Sequence, residues 1–303
     1  MKLSILLPTY NDSCVALATE LSRQMALLDA EAELIVADDC STDAAVRAEN
    51  GIIEQFPGCR VVWAEQNMGR AAIRNRLADE ARGEWLLFID GDLHVNDESF
   101  LERYLEAMSD EAQVVVGGYS IQGDASALCH NLRYHVERAA EGKKSLQARL
   151  RHPYSHFHTA NFAIRRPVFH SIRFNEEMRH YGFEDVLFGR QLQQAGIPIL
   201  HIDNPVLFDE FENNEAFLQK TDQSIQTQHD FAALIGDSSR LLPMYNRLQR
   251  LHVAWMLGLC RTLVGRTVRR RLLSGRGGNN LFQLYKLMKL HEIVANSRTF
   301  NIG

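Results

Sequence analysis

The stretch that decides the fold is an apolar run that ends in two acids, Trp85-Leu86-Leu87-Phe88-Ile89-Asp90-Gly91-Asp92. The five apolar residues predict a buried strand, and open α/β sheets bind ligands outside the carboxyl ends of such strands. Two carboxylates at that edge are hard oxygen donors that suit a divalent cation, and a cation there suits a diphosphate. The alternative is a plain turn, because Asp-Gly-Asp is good turn chemistry in any loop.

Similar apolar runs recur through the first 120 residues, at 3–7, 33–37, 60–64, 85–89 and 113–117. Helical patterns separate them, as in 15–28 and 71–81, and Asn11 or Asp12 is available to cap the first helix. This alternation predicts an α/β fold with a mostly parallel, Rossmann-like sheet and helices on both faces. Later in the chain a helix is predicted from Glu184 to Ala195, and beyond Asn213 the pattern is that of a helical C-terminal extension.

Composition predicts a soluble globular protein, since 46% of the 303 residues are hydrophobic and 23% are charged. The five cysteines lie far apart, which argues against a zinc site or a disulfide framework and for a reducing compartment. The chain shows no basic region followed by a long apolar stretch at its N-terminus, and the longest apolar patch, 253–260, is too short to cross a bilayer. We therefore expect a cytoplasmic protein.

The formal net charge of −5 is unevenly distributed. Residues 240–303 carry 12 Lys and Arg against one acid, Glu292. Part of this basic group lies among apolar residues at 255–272, which predicts a helix that contacts an anionic membrane surface. The alternative is a helix packed on the acidic α/β domain. Nucleic-acid binding is not predicted, because the basic residues lack aromatic interleaving and no recognised module is present.

Three further motifs follow predicted strands or begin helices. The first strand ends in Pro8-Thr9-Tyr10-Asn11 and the second in Asp38-Asp39-Cys40-Ser41-Thr42-Asp43. An acid at such a strand end can accept a hydrogen bond from a nucleotide base or a ribose, whereas Asp43 can equally cap the next helix. Asn67-Met68-Gly69-Arg70 and Arg74 open the third helix, where an anion is favoured, although Arg74 can also be a solvated surface residue.

These motifs occur in a recognisable order, together with Asp90-Gly91-Asp92 and Gly182-Phe183-Glu184-Asp185-x-x-x-x-Arg190. The chain resembles the family 2 glycosyltransferases, whose nucleotide-sugar-binding fold is called GT-A, over roughly residues 1–210. The resemblance implies a GT-A domain at 1–210, with a nucleotide-sugar-binding part at about 1–120 and an acceptor part at about 121–210. The helical, basic region at 211–303 would follow it.

The resemblance also implies where the donor binds. Positions matching Pro8, Tyr10, Asn11 and Asp39 would line the nucleotide pocket, and Asn67, Gly69, Arg74 and Asp90 would face the nucleotide. Asp92, with Asp90 beside it, would ligate a Mg²⁺ or Mn²⁺ ion that bridges the diphosphate. Such an ion would stabilise the charge that develops on the leaving diphosphate.

The acceptor side is implied by the same resemblance. Asp185, the second acid of the pair with Glu184, would be the general base that removes the proton of the acceptor hydroxyl. The alternative is a helix start that carries favourable negative charge. His158, Thr159 and Asn161 would contact the donor or acceptor sugar. His201 is the first choice for a third metal ligand, although a histidine that several relatives carry after Asn-Pro is not found after Asn204-Pro205.

The sequence thus predicts an inverting, metal-dependent glycosyltransferase that acts on a nucleotide diphosphate sugar, most simply a UDP-sugar. The acceptor would be a surface glycan or its lipid-linked precursor, and a basic tail would suit contact with the inner face of the cell membrane. Two alternatives are a non-catalytic nucleotide-sugar-binding subunit of a glycan synthase and a nucleotidyltransferase. The sequence does not identify the sugar, the linkage or the oligomeric state.

Overall fold

The computed structural model describes the backbone of residues 2–300 and the side chains of residues 2–236 and 238–297. Residues 301–303 of the predicted helical region lie outside the described residues. The strands are β1 (Leu3–Thr9), β2 (Ala32–Asp38), β3 (Cys59–Trp63), β4 (Trp85–Ile89), β5 (Val114–Val116), β6 (Tyr119–Ile121), β7 (Asn161–Arg165), β8 (Ile199–His201) and β9 (Val206–Phe208).

The helices alternate with the strands in the first half of the chain and follow one another in the second. They are α1 (Val15–Met25), α2 (Ala44–Gly51), α3 (Arg70–Glu80), α4 (Phe100–Ala107), α5 (Leu132–Ala140), α6 (Leu146–Arg151), α7 (Arg166–Ile172), α8 (Glu184–Gln194), α9 (Asn214–Asp230), α10 (Ala232–Ile235), α11 (Leu241–Arg250), α12 (Trp255–Leu273) and α13 (Asn279–Phe300). Short 3₁₀ turns occur at Ile52–Gln55, Glu141–Lys143 and Gly236–Ser238.

A seven-stranded sheet in the order β3-β2-β1-β4-β7-β5-β8 forms the centre of the α/β part. Its strands pair in parallel except for β7, which runs antiparallel to both β4 and β5. A second, two-stranded sheet pairs β6 with β9 in parallel. The predicted α/β fold with a mostly parallel sheet and a helical C-terminal region is confirmed.

Strand β4 is central because every one of its five residues is buried. A strand that is apolar on both faces can be covered only from both sides, which is the position of a strand in the middle of an α/β sheet. It pairs with β1 through Leu6 and Phe88 and with β7 through Ile89 and Asn161. The apolar run that ends in Asp90 therefore delivers that acid to the edge of the sheet.

The chain divides into two compact units. Unit 1 comprises residues 1–122, 141–179 and 184–210, and unit 2 comprises residues 123–140, 180–183 and 211–303. Compared with the predicted boundary near residue 210, two earlier segments, 123–140 and 180–183, group with the C-terminal helices. All nine strands described above belong to unit 1.

Phenylalanine side chains join the sheet of unit 1 to α8. Phe88 of β4 stacks on Phe162 of β7 with 4.9 Å between ring centroids, and Phe174 stacks on Phe188 of α8 at 4.4 Å. Phe157 contacts both Phe162 and Phe188. Because Phe188 lies one turn after Asp185, this packing fixes the start of α8.

The caps of the first two helices differ from each other. Cys14 occupies the N-cap of α1 without a side-chain hydrogen bond, so the predicted capping by Asn11 or Asp12 is wrong. Asn11 instead accepts hydrogen bonds from the backbone N–H groups of Thr42 and Asp43, at 2.8 and 3.1 Å. Asp43 caps α2, as the second interpretation of that residue predicted.

Unit 2 is formed by α5 and α9–α13 around two apolar clusters. One contains Phe217 of α9, Val268 and Leu272 of α12 and Phe282 of α13, and the other contains Leu257 of α12. Within residues 2–300, no helix combines the length and the apolar composition that crossing a membrane requires. All five cysteines are free thiols.

Candidate functional site

The carboxyl ends of β1, β2 and β4 meet at one edge of the sheet. The Asp39 N–H donates to the Thr9 carbonyl at 2.9 Å, and the Gly91 N–H donates to the Pro8 carbonyl at 3.2 Å. A Cβ atom on Gly91 would lie 3.0 Å from that same carbonyl oxygen, so the close approach favours glycine. The structure thus brings together Pro8, Asp39 and the Asp90-Gly91 turn, as the topology of a parallel sheet requires.

Asp39 organises the loop that leads into α3. Its Oδ1 accepts a hydrogen bond from the Met68 N–H at 2.6 Å and its Oδ2 accepts one from the Gly69 N–H at 2.9 Å. The Asn67 side-chain amide donates to the Asp39 carbonyl at 3.1 Å. Burial raises the pKa of the Asp39 carboxyl, and the two backbone donors oppose that rise.

The loop is bent sharply at Gly69, where φ is +87°. Glycine adopts this angle at no steric cost, and the backbone N–H of Gly69 can then face Asp39. The predicted anion site at the start of α3 therefore already holds a carboxylate of the protein. Asn67 and Gly69 are brought to Asp39, and their contribution to ligand binding stays a prediction.

Arg74 lies beneath the strand-end acids. Only 1% of the residue is exposed, so the alternative of a solvated surface arginine is wrong. Its guanidinium forms an ion pair with Asp90, and its Nη1 donates to the Arg70 carbonyl at 3.1 Å. A permanently charged partner keeps the Asp90 carboxylate oriented, because an arginine does not lose its proton in a protein.

Asp92 is half-buried and follows Asp90 in a turn closed by a hydrogen bond from the Leu93 N–H to the Asp90 carbonyl at 3.2 Å. Two carboxylates are thus present at the end of β4. Among the side chains that the structure describes, no group of three or more His, Cys, Asp or Glu could hold a metal ion. A cation at this edge would need further ligands from the substrate or water.

The second pair of acids begins α8. The Asp185 Oδ1 accepts a hydrogen bond from the Val186 N–H at 2.7 Å, and its Oδ2 lies 3.2 Å from the Nδ1 of His158. Burial raises the pKa of Asp185, but the hydrogen bond and charge of His158 and the Val186 N–H outweigh it and hold that pKa below its usual value. Asp185 is therefore ionised at neutral pH.

The pKa of Glu184 is shifted in the opposite direction to that of Asp185. It is buried, and burial raises its pKa, while the Arg70 guanidinium, 3.8 Å away, opposes this. The negative charge of Asp185 adds to the rise. Two neighbouring acids whose environments push their pKa values apart are typical of acid–base sites. In the sequence, Arg70 stands out only as part of the motif that opens the third helix. Its position beside Glu184 was not predicted, because no local pattern indicates a contact between these distant residues.

The three residues predicted to contact sugars have different surroundings. His158 is 29% exposed at its side chain and packs edge-on against Tyr119, with ring centroids 5.5 Å apart. Thr159 is buried. Asn161 is buried and its amide is fully used, because it accepts from the Tyr104 hydroxyl and donates to the Gly118 and Asn204 carbonyls. His158 is the member of this set that lies beside Asp185.

His201 is part of the framework around Arg149. Its Nδ1 accepts from the Arg149 guanidinium at 3.2 Å and its Nε2 donates to the Pro153 carbonyl at 3.0 Å. Burial, helped by the Arg149 charge, lowers the pKa of His201 to about 4. Since both ring nitrogens are engaged, His201 offers no lone pair to a metal, and we do not include it in a metal site.

The remaining predicted nucleotide contacts lie in the loop after β1. Asn11 has a φ of +55° and its side chain holds the loop that follows β2. The Tyr10 side chain beside it is 43% exposed, an unusual position for an aromatic ring in this unit. An exposed ring at the end of a central strand is available to stack on a planar ligand.

Comparison with known proteins places this geometry in context. The family described as glycosyl transferase family 2 matches residues 4–173. Staphylococcus aureus poly(ribitol-phosphate) beta-N-acetylglucosaminyltransferase TarS (strain Mu50) is 36% identical over 106 residues, which are 33% of this chain and 18% of that protein. The cholesterol galactosyltransferase of Borreliella burgdorferi is 22% identical over 245 residues, which are 74% of this chain and 64% of that protein. The chain spans less than two thirds of either relative.

Solved structures show the same architecture. The mannosyltransferase PcManGT from Pyrobaculum calidifontis, in complex with GDP-Man and Mn²⁺, has a TM-score of 0.57 at 14% identity, with 97% of this chain and 86% of that chain covered. Residues 1–349 of S. aureus TarS in complex with UDP give a TM-score of 0.53 at 16% identity, with 97% and 92% covered. At these identities the likeness establishes the fold alone.

Proposed function

The chain belongs to glycosyl transferase family 2, and we propose that it is an inverting, metal-dependent enzyme that moves a sugar from a nucleoside diphosphate to an acceptor hydroxyl. The observation that carries the proposal is the contact at the start of α8 between the Asp185 Oδ2 and the His158 Nδ1, which lie 3.2 Å apart. Asp185 lies beyond residues 4–173, so its role rests on geometry and chemistry rather than on the family match. Family membership removes the nucleotidyltransferase alternative.

The donor would bind at the ends of β1, β2 and β4. The exposed Tyr10 ring offers a surface for a nucleotide base, and the Asp39 carboxylate offers acceptor lone pairs to base or ribose donors. Asp90, oriented by Arg74, would accept a hydrogen bond from a ribose hydroxyl. We propose uridine as the base, because TarS was solved with UDP and UDP-GlcNAc.

The acids after β4 fit a divalent cation bound together with a diphosphate. Mg²⁺ is commonly held by one or two carboxylates, with substrate phosphates and water completing its shell. Asp92 and Asp90 supply that number of hard oxygen donors, and the described residues offer no larger cluster. We propose Asp92 as the principal ligand, with Asp90, which pairs with Arg74, beside it. When bound, the cation would neutralise charge on the leaving diphosphate.

Asp185 would act as the general base. A neutral alcohol is a poor nucleophile, and an ionised carboxylate within hydrogen-bond reach removes its proton as the oxygen attacks the anomeric carbon. The bond from that carbon to the phosphate oxygen breaks on the opposite face, so the configuration inverts. His158 holds Oδ2 of Asp185 in place, and the second oxygen is fixed by the Val186 N–H.

The acceptor that we propose is a cell-surface glycan or its lipid-linked precursor. The names of two relatives give poly(ribitol-phosphate) as their acceptor, one from S. aureus and one from Bacillus spizizenii. Both matches cover less than a fifth of those proteins, so they support the acceptor class only. The donor sugar and the linkage are left to experiment.

A screen of nucleotide sugars with and without Mn²⁺ tests the proposal. Thermal stabilisation by a UDP-sugar should require Mn²⁺, and release of UDP in the presence of acceptor should follow it. In Asp92→Asn we expect the half-saturating Mn²⁺ concentration to rise at least about tenfold. Losing a residue that only hydrogen-bonds to a metal ligand already lowers metal affinity by about 10–100-fold, and losing a ligand itself should lower it at least as much. Asp97→Asn, on the loop that follows, is the matched control and should keep the response.

Two outcomes would contradict the proposal. Full UDP release in the presence of a chelator would remove the metal from the mechanism. Metal-dependent binding of UDP-sugars with no transfer to any surface-glycan acceptor would favour the non-catalytic subunit instead.

A further inference from the structure

The first half of α12 exposes apolar side chains. Trp255, Leu259 and Leu263 are 63%, 49% and 71% exposed, and Met256 beside them is also exposed. The first three recur every four residues, so they form one stripe along the helix. Large apolar side chains gathered on one helix face are unusual on a water-exposed surface, and such a patch marks an interaction site.

The stripe continues as basic residues in the second half of the helix. Arg266 and Arg270 follow Leu263 at spacings of three and four, and both are exposed. We call these five residues the α12 stripe: Trp255, Leu259, Leu263, Arg266 and Arg270. Among the side chains that the structure describes, no carboxylate lies within ion-pair distance of Arg266 or Arg270. The neighbouring Arg269 differs, since it lies 3.3 Å from Glu215.

The opposite face of α12 is already used for packing. Leu257, Val268 and Leu272 are buried in the apolar clusters of unit 2. At 100° per residue, these three positions lie on the side of the helix away from Leu259 and Leu263. The α12 stripe is therefore not needed to hold unit 2 together.

We propose that the α12 stripe binds the surface of an anionic lipid bilayer. When this face of α12 lies against a membrane, the apolar half of the stripe can enter below the headgroups, while the arginines of the other half contact the anionic headgroups. A tryptophan such as Trp255 suits the headgroup region, because its ring is largely apolar but carries a polar N–H that can hydrogen-bond there. The charge also matches, because residues 240–303 carry 12 Lys and Arg against a single acid.

Charge complementarity decides between a bilayer and a second copy of the chain. In a symmetric contact through this face, Arg266 and Arg270 would lie against their own copies if the helices were parallel, or against the apolar end of the other helix if they were antiparallel. Neither arrangement supplies an acidic partner, because the stripe contains no acid. Anionic headgroups would instead neutralise them. Binding to a bilayer requires no catalysis, so this inference stands apart from the transfer reaction.

Sedimentation with vesicles tests the inference on the whole 303-residue chain. We expect it to sediment with vesicles of phosphatidylcholine and phosphatidylglycerol, and much less with phosphatidylcholine alone. Raising the salt concentration should weaken the binding, because exposed charges are screened.

Two sets of substitutions separate the charged and apolar contributions. Each arginine near an anionic surface strengthens binding about fivefold, so Arg266→Gln with Arg270→Gln should weaken it by a factor of about 25. Leu259→Ser with Leu263→Ser should weaken binding by at least about tenfold, since each leucine loses its transfer from water. Matched controls in unit 1 are Arg82→Gln with Arg151→Gln and Leu27→Ser with Leu150→Ser, at exposed positions, and these should bind as the parent does.

Three results would overturn the proposal. The parent protein could fail to bind either kind of vesicle, or the stripe variants could bind as tightly as their controls while showing the parent's circular dichroism and melting temperature. The third is a dimer in solution that Leu259→Ser with Leu263→Ser converts to a monomer without any change in vesicle binding. That result would assign the stripe to an interface between copies.

Discussion

The surroundings of His158 and His201 differ in the charge that faces each ring. His158 is partly exposed and faces the carboxylate of Asp185 at 3.2 Å, whereas His201 is buried and faces the guanidinium of Arg149 at the same distance. An imidazole beside an anion can donate a hydrogen bond to that anion and orient it, while a buried cation disfavours the protonated form of an imidazole beside it. The two histidines therefore differ in the charge of the group that each contacts: His201 belongs to the framework around Arg149, and we propose His158 as a residue of the site.

Replacing Asp185, the proposed base that contacts His158, should have the largest effect on activity. In Asp185→Asn the turnover number should fall by about 10²–10⁴, the contribution of a positioned base. Binding of the UDP-sugar, followed by calorimetry, should remain close to that of the parent. Asp203→Asn, at an exposed turn of the same unit, is the matched control. Equal turnover in the Asp185 variant would refute its role.

Replacing Arg149, whose guanidinium contacts His201, should destabilise the folded protein. Arg149 donates to the carbonyls of Val116, Gly117 and Ile202 at 2.9–3.0 Å, as well as to His201. The Ile202 carbonyl would be left without a donor, which costs about 1–3 kcal/mol. The Val116 and Gly117 carbonyls would keep the N–H groups of Ile202 and Asn204 but lose a charged donor each, so Arg149→Met should lower the free energy of unfolding by about 3 kcal/mol. Urea denaturation measures this. Arg151→Met, two residues later and exposed, should change it by less than about 0.5 kcal/mol.

The low pKa of His201 predicts that the free energy of unfolding depends on pH. Its pKa is about 4 in the folded protein against 6.5 as the ordinary value, so between these values the unfolded state binds the additional proton. Stability is then lost as the pH falls from 6.5 towards 4, by up to about 3 kcal/mol. In His201→Gln the urea midpoint, measured between pH 6.5 and pH 4, should no longer show the decrease that protonation of His201 causes. A variant with the parent's pH dependence would show that His201 is not the group responsible.

The smallest expected effect concerns His158. In His158→Gln the turnover number should fall about tenfold, a small part of what the base itself contributes, while the KM for the donor stays unchanged. Loss of the imidazole removes an influence that lowers the pKa of Asp185, so the acidic limb of the pH–rate profile should move to higher pH. A purely structural histidine would leave that limb in place.

Much of the fold could be predicted because it is written in local patterns. The runs at 3–7, 33–37 and 85–89 became β1, β2 and β4, since continuous apolar stretches of that length can be covered only in the centre of a sheet. The helix predicted from Glu184 begins there and ends at Gln194. Caps were predicted less well, because Asn11 can cap α1 or hold the loop after β2, and only the fold decides which backbone N–H groups face it.

The sequence predicted which acids lie at one edge of the sheet, but it did not predict the contacts that packing creates between distant segments. The acids at Asp39, Asp90 and Asp92 follow strands, so parallel topology alone assigns them to one sheet edge. The burial of Arg74 beneath Asp90 and the use of both ring nitrogens of His201 depend on contacts between distant segments. Spacing along the chain carries no information on either.

By itself, the sequence determined that this protein is a family 2 glycosyltransferase fold with a helical, basic extension, because hydrophobic period and motif order are local properties. Only the tertiary structure decided which titratable groups face one another. It placed His158 against Asp185, His201 against Arg149 and the arginines of the α12 stripe away from carboxylates. The physical reason is that a pKa, an ion pair and an exposed apolar face all depend on distances between atoms that the order of residues does not fix.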